Sequence, residues 1–384
     1  MRRIAVVGAS LAGLNAARTL RERGYEGELV VIGDESGMPY DRPPLSKEIL
    51  TGAWEPDALD LGGGAVEADW LLGQRATGVD VEARVVTTTD HEVPFDGLVI
   101  ATGLRARQLP FAPADRTKIF TLRTVEDAIA LRGALATTPR VLIIGTGFIG
   151  VEVASSAQKL GCPVTLIGDV APLSVVGPQV SSTCAGLLEA AGVRLSVGPM
   201  VDSLSVEDGV AVLTDGTRIE FDIAVVAIGS IPNTEWLRES VVPVEDGVLS
   251  DADCRVVGLE NIVVAGDVAR WPNPFLRNAS VRVEHWSNAV EQGKTAALSL
   301  LGIPAGAPVL PSFWSDHCGI RLQGVGSYSA ADRAELVAGD PEEGRYAIAV
   351  HRDDELVGGL AYGMPKEIAR LRARLTSELR ERVG

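Results

Sequence analysis

Val141-Leu142-Ile143-Ile144-Gly145-Thr146-Gly147-Phe148-Ile149-Gly150 and, at the start of the chain, Ile4-Ala5-Val6-Val7-Gly8-Ala9-Ser10-Leu11-Ala12-Gly13 read alike. Each is a short apolar strand, a tight glycine turn and the start of a helix. That geometry aims backbone N–H groups and the positive helix end at a pyrophosphate. Two such units imply two dinucleotides. Two dinucleotides in one chain imply electron transfer between them.

Outward from the first loop, the pattern predicts a helix to about Arg23, stopped at Gly24. A second strand, Glu28-Leu29-Val30-Val31-Ile32, follows. Asp34 then sits about 20 residues past the loop, where a ribose-binding carboxylate belongs. In Tyr40-Asp41-Arg42-Pro43-Pro44-Leu45-Ser46-Lys47 two prolines fix an extended segment, and Ser46 is placed to cap a helix. Phe95-Asp96 leads into an apolar strand ending at Thr102-Gly103. Phe221-Asp222 leads into another ending at Gly229, so each unit closes on the same pattern, a weak internal repeat. The second unit runs through a helix, with Glu152 on its first turn, to the strand Val164–Ile167. Residues 110–122 read as a crossing between domains, and Pro304-Ala305-Gly306-Ala307-Pro308 as a linker. The tail reads as a small domain ending in a helix that carries Arg370, Arg372, Arg374, Arg380 and Arg382. Such a stripe is either a solvated face or a means of steering an acidic partner.

The 384 residues carry a net charge of -16, which excludes wholesale nucleic-acid binding because phosphate neutralisation needs a basic face. Cys162, Cys184, Cys254 and Cys318 are far apart, lack metal-site spacing and read as small buried residues of a reducing compartment. No metal is expected. Met1-Arg2-Arg3 and its apolar run resemble a signal peptide, yet the run carries the loop glycines that the fold needs. The expectation is a cytoplasmic chain without a membrane span. His317 and Cys318 are sequence neighbours whose side chains diverge, which argues against a nucleophile–base pair.

The ordered motifs resemble those of the FAD-dependent NAD(P)H:ferredoxin reductases of cytochrome P450 and ring-hydroxylating oxygenase systems. The likeness rests on G-A-S-L-A-G, Y-D-R-P-P-L-S-K at 40–47, L-V-I-A-T-G at 98–103, L-R-T at 122–124 and G-T-G-F-I-G-V-E at 145–152. It continues through G-S-I-P-N-T-E-W at 229–236, V-A-G-D-V-A at 264–269, E-H-W-S-N-A at 284–289 and F-W-S-D at 313–316. It implies an α/β fold of two Rossmann-like domains in a glutathione-reductase-like arrangement, plus a small α+β C-terminal domain. The implied division is 1–108 with 224–305 for FAD, 109–223 for NAD(P) and 306–384 for the third domain.

The resemblance also implies roles. Gly8, Ser10, Ala12 and Gly13 face the FAD pyrophosphate, with Ser10 standing where the pattern has its second glycine. Asp34 holds the ribose, Arg42 and Arg123 support the nucleotide, Asp267 binds the ribityl chain and Trp286 lies against the ring. Ala76, Thr102, Gly103, Gly266, Glu284 and His285 complete that set, although His285 and Trp286 also read as packing residues. Lys47 lies near the flavin N5 and pairs with Glu152, which positions the nicotinamide. Gly145, Gly147, Phe148, Ile149, Gly150 and Gly229 line the NAD(P) site. Relatives that reduce disulfides carry a closely spaced cysteine pair after the first acid. Here no cysteine precedes Cys162, so electrons leave the flavin directly for an iron–sulfur ferredoxin, one at a time.

For the second ribose, Gly168 stands where an acid is usual and Asp169 follows, with no Arg or Lys nearby for a 2′-phosphate. The reading is NADH through Asp169, with NADPH as the alternative. A flavin NAD(P)H oxidase, a rubredoxin or nitrite-reductase-type partner, and a slow redox-sensing FAD protein of the apoptosis-inducing-factor type remain open. So does the choice between monomer and homodimer.

Overall fold

The protein is described here by a computed structural model covering residues 1–111, 117–276, 278–306, 309–329 and 331–383. Two compact units divide the chain. The first comprises Met1–Asp41, Asp60–Arg105 and Ile231–Phe313; the second comprises Arg42–Leu59, Ala106–Ser230 and Trp314–Gly384.

In the first unit a five-stranded parallel sheet runs in the order Ile262–Val264, Gly97–Ile100, Arg3–Val7, Glu28–Ile32, Asp69–Leu71. Alternate residues of each strand point to opposite faces. Ile4, Val6, Val31, Val99 and Val263 pack with Leu14, Ala17, Leu20, Ala296 and Ala297 of the helices Leu11–Glu22 and Trp286–Leu300. Ala5, Val7, Val30, Ile32, Leu98 and Ile100 pack on the other face with Val79, Val86, Val93 and Phe95 of an antiparallel meander.

The second unit repeats this plan with different residues. Its parallel sheet runs Ile119–Phe120, Ile223–Val226, Val141–Ile144, Val164–Gly168, Arg194–Val197, again with a three-stranded antiparallel meander. The repeat extends to single atoms. Asp96 accepts backbone N–H bonds from Arg2 and Arg3 at 2.6 and 3.0 Å, and Asp222 accepts one from Arg140 at 2.7 Å. Each F-D pair therefore satisfies backbone donors at the start of the neighbouring glycine-loop strand.

The second unit also carries the tail. A five-stranded antiparallel sheet runs Ser312–His317, Ile320–Gly326, Glu355–Tyr362, Arg345–Arg352, Arg333–Asp340. The helix Pro365–Val383 packs on it through Leu371, and a Cβ on Gly359 would stand 2.7 Å from that side chain. Arg370 pairs with Glu367 and Arg374 with Glu378 on this helix; the side chains of Arg380 and Arg382 lie outside the described residues.

Three local expectations are corrected. Ser46 does not open a helix: the prolines start a short 3-10 turn at Pro43, so Ser46 ends it. Glu152 falls one residue past the first turn, because the helix Phe148–Lys159 begins directly after Gly147. The stretch 110–122 contains the strand Ile119–Phe120 that edges the second sheet, with 112–116 outside the described residues; 307–308 of the expected linker also lie outside.

Candidate functional site

The two glycine loops close by contacts that exclude a side chain. A Cβ on Gly8 would stand 2.1 Å from the Ala101 carbonyl oxygen, and one on Gly145 would stand 2.2 Å from that of Ala227. A Cβ on Gly13 or Gly150 would meet the carbonyl oxygen of Gly8 or Gly145 at 1.9 Å. Gly8 and Gly145 also take positive φ angles of 119° and 115°, a region that favours glycine. Each strand is thereby brought directly into its helix, whose first N–H groups have no partner within the helix itself. At the second-glycine position the loops differ: Ser10 is half-buried, Gly147 is exposed, and nothing lies within 4 Å of a Cβ built on Gly147.

Within the first unit, Thr102 and Asn233 lock together. The Thr102 hydroxyl donates to the Asn233 carbonyl at 2.7 Å, and the Asn233 amide returns a bond to the Thr102 carbonyl at 2.9 Å. Asn233 N also donates to Gly103 O at 3.0 Å. Asp267 lies on the turn Gly266–Val268, whose Gly266 N–H donates to buried Gln292 at 3.0 Å. Arg282 holds the same turn, donating to the Asp267 carbonyl and to Glu284 at 3.2 and 2.6 Å. Neither Gln292 nor Arg282 stands out in the sequence. Trp286 is part-exposed and donates to Asp41 at 2.8 Å, and His285 is tucked against Phe313 with burial pushing its pKa down to about 4. Asp34 is exposed and holds Arg75 at 2.8 Å, while half-buried Glu35 accepts from the Tyr40 hydroxyl. Ala76 opens the first strand of the meander.

In the second unit Lys47 Nζ lies 2.9 Å from Glu152 Oε2, and both side chains are largely withdrawn from water. The Ser46 hydroxyl also donates to Oε2, and the Ser315 hydroxyl donates to Oε1 at 2.7 Å. A buried carboxylate with donors on both oxygens is held in one orientation. The same helix face offers Ser155 and Ser156, three and four residues on. The Ser156 hydroxyl donates to the Ser46 carbonyl at 2.7 Å, and Ser155 Oγ accepts from the Cys318 N–H at 2.7 Å. One helix face therefore anchors both the Y-D-R-P-P-L-S-K segment and the F-W-S-D strand. Sequence reading singles out Lys47 and Glu152 and misses Ser46 and Ser315 as donors to Glu152, although these two lie in the quoted motifs. Arg42 donates to the Arg123 carbonyl at 2.9 Å, and Arg123 N–H to Asp127 at 2.9 Å. Phe148 and exposed Ile149 open the helix Phe148–Lys159; Asp169 is exposed beyond Gly168; and the Gly229 carbonyl accepts from Arg107 N–H at 2.9 Å.

Cys162, Cys184 and Cys254 are buried free thiols, and burial pushes Cys184 up to about 12. A thiol so disfavoured as thiolate is no redox relay. His317 Nε2 bonds the Tyr362 hydroxyl at 2.7 Å, and the Cys318 backbone N–H donates to Ser155 Oγ at 2.7 Å. Among the described residues no helix is long and apolar enough to cross a membrane.

Comparison with known proteins agrees with this geometry. Residues 2–293 match the pyridine nucleotide-disulphide oxidoreductase family, and residues 312–382 match the reductase C-terminal family. The ferredoxin reductase component of a chlorobenzene dioxygenase from Cupriavidus sp. (strain PS12) is 34% identical over 95% of this chain and 90% of that protein. A rubredoxin-NAD(+) reductase of Pseudomonas putida is 34% identical over 94% of this chain and 96% of its own length. Among solved structures, putidaredoxin reductase in its covalent complex with putidaredoxin matches with a TM-score of 0.93 and 30% identity, covering 98% of this chain and 93% of that one. The chain belongs to the pyridine nucleotide-disulphide oxidoreductase family of flavin- and NAD-dependent enzymes.

Proposed function

We propose that the chain is an FAD-containing NAD(P)H:ferredoxin reductase that supplies single electrons to an iron–sulfur ferredoxin, which in turn serves a cytochrome P450 or a ring-hydroxylating dioxygenase. The observation that carries this reading is the buried Lys47–Glu152 pair beside a dinucleotide loop, in a chain whose first cysteine is Cys162. Relatives named as ferredoxin reductase components of dioxygenase systems support the acceptor class.

The residues fit both cofactors: each loop presents a helix N-terminus, and its glycines admit no side chain where the turn closes. The first loop, Gly8 to Gly13, with Asp34, Ala76, Thr102, Gly103, Gly266, Asp267, Glu284, His285 and Trp286, is assigned to FAD, as are Arg42 and Arg123. Gly145 to Gly150, Asp169 and Gly229 are assigned to NADH, with NADPH as the alternative. The proposed domain division is 1–108 with 224–305, 109–223 and 306–384, except that Arg42–Leu59 and the strand Ile223–Val226 fall in the second unit. Bound flavin supplies the conversion of a two-electron donor into a one-electron source. Lys47 contributes a fixed positive charge. Glu152, fixed by Ser46 and Ser315, holds that ammonium in one place and orients the nicotinamide. The arginines of the C-terminal helix are either a solvated face or a means of steering an acidic partner, and the enzyme works in the cytoplasm as a monomer or homodimer.

The test is a visible spectrum of the purified protein, followed by anaerobic addition of NADH and then of ferredoxin. Flavin bands bleached by NADH and restored faster by ferredoxin than by oxygen are expected. Colourless protein that does not rebind FAD would refute the assignment, and recovery through rubredoxin alone would move the acceptor to that class, consistent with the rubredoxin-NAD(+) reductase relatives.

A further inference from the structure

The two glycine loops correspond residue by residue. Gly8 N–H and Gly145 N–H donate to Ile32 O and Ile167 O, each at 2.8 Å. Gly33 and Gly168 are therefore equivalent, as are Asp34 and Asp169, and as are Ala9 and Thr146. In both loops the glycine that follows the acceptor isoleucine faces the residue between the loop's first two turn positions. A Cβ on Gly33 would stand 2.6 Å from Ala9 Cβ; one on Gly168 would stand 2.6 Å from both Thr146 Oγ1 and Cγ2.

Thr146 cannot yield that space cheaply. It is buried, branched at Cβ and so stiff at χ1, and its hydroxyl donates to Val170 O at 3.0 Å. Its own carbonyl accepts from Leu173 N–H at 3.0 Å. Thr146 thus fills the volume a side chain at 168 would need, and pins both ends of the segment that carries Asp169.

Resting on the dinucleotide reading above, we propose that Thr146 is a specificity-determining residue of the nicotinamide coenzyme site. It excludes an acid at position 168 and moves the adenosine-ribose carboxylate one residue on, to Asp169, the position that Asp34 holds in the first loop. Restoring an acid at 168 by itself then fails, because the new side chain collides with Thr146 before it can reach a ribose.

The experiment compares wild type with Gly168→Ala, Gly168→Asp, Thr146→Ala/Gly168→Ala, Thr146→Ala/Gly168→Asp and Asp169→Ala. Thermal midpoints are measured on the proteins as isolated, and dissociation constants for NAD⁺ and NADP⁺ by calorimetry. Both single Gly168 substitutions lower the midpoint, and Thr146→Ala recovers it in each double variant. Only Thr146→Ala/Gly168→Asp strengthens the preference for NAD⁺ over NADP⁺, by about tenfold for one added charge-assisted hydrogen bond. Asp169→Ala weakens it by about the same factor. Gly168→Asp at the wild-type midpoint with a strengthened preference would overturn the role of Thr146. An unchanged preference in Asp169→Ala would overturn the transfer to Asp169. Wild type that binds neither nucleotide would instead refute the dinucleotide assignment itself, and this inference with it.

Discussion

Ser315 Oγ donates to Glu152 Oε1 across 2.7 Å, and both residues are buried. The bond joins the strand Ser312–His317 to the helix Phe148–Lys159 through a charged acceptor. Ser315→Ala removes the donor and leaves that oxygen buried without it. The expected loss is about 2 kcal/mol of stability, the range for a hydrogen bond to a charged group. Urea unfolding of the two proteins checks it, and a loss below a few tenths would show that Ser315 does not anchor Glu152.

Lys47→Ala strips the cation from a carboxylate that remains buried. Breaking such a pair from one side costs about 3–5 kcal/mol, and the two serine donors place this case near about 3. Flavin bleaching by NADH also slows, because the fixed charge is gone. Lys47→Ala/Glu152→Gln separates the effects: stability returns in part, since no buried charge is left uncompensated, while the slow bleaching persists. Stopped-flow absorbance alongside urea unfolding measures both.

How far the sequence reveals this site depends on how local each interaction is. The loops are readable because strand, turn and helix start lie within ten consecutive residues. Lys47 and Glu152 emerge only through the surrounding motifs. Ser46 and Ser315 stay hidden because their partner lies 106 and 163 positions away, and a serine in a motif carries no sign of what it touches. Asp34 is found by its spacing, yet its ion pair with Arg75 spans 41 positions and leaves no trace in the pattern. Asp96 and Asp222 are visible as a repeat, but their task of accepting backbone N–H bonds appears only once the neighbouring strands are in place.

His317 gives the protein a specific acid sensitivity. Burial lowers its pKa from 6.5 to about 4, and its Nε2 bonds the Tyr362 hydroxyl. Between these two values the unfolded chain binds the proton and the folded one does not. Stability from this group is complete above pH 6.5 and is lost as pH falls toward 4, by up to about 3 kcal/mol. His317→Gln keeps a polar partner for Tyr362 and removes the titration. The unfolding free energy of the variant therefore falls less steeply between pH 6.5 and 4 than that of wild type. Parallel slopes would mean that His317 titrates alike in both states.

Gly147 separates fold from ligand in one substitution. Unlike Gly145 and Gly150, it has a φ of -74°, which any residue adopts, and a Cβ built there meets nothing within 4 Å. The first loop already carries a side chain, Ser10, at the same place. Gly147→Ala therefore folds with its thermal midpoint unchanged, whereas Gly150→Ala, driven against the Gly145 carbonyl, loses several degrees or fails to fold. Under the proposed assignment, the methyl at 147 would project where the coenzyme pyrophosphate approaches the backbone. Its expected effect is a rise in KM for NADH of about tenfold, equivalent to about 1.4 kcal/mol, with little change in FAD content. Differential scanning fluorimetry, flavin absorbance and steady-state kinetics on the same preparation decide the matter. An unchanged KM would remove the second loop from the coenzyme site, and a lowered FAD content would assign that loop to the flavin instead.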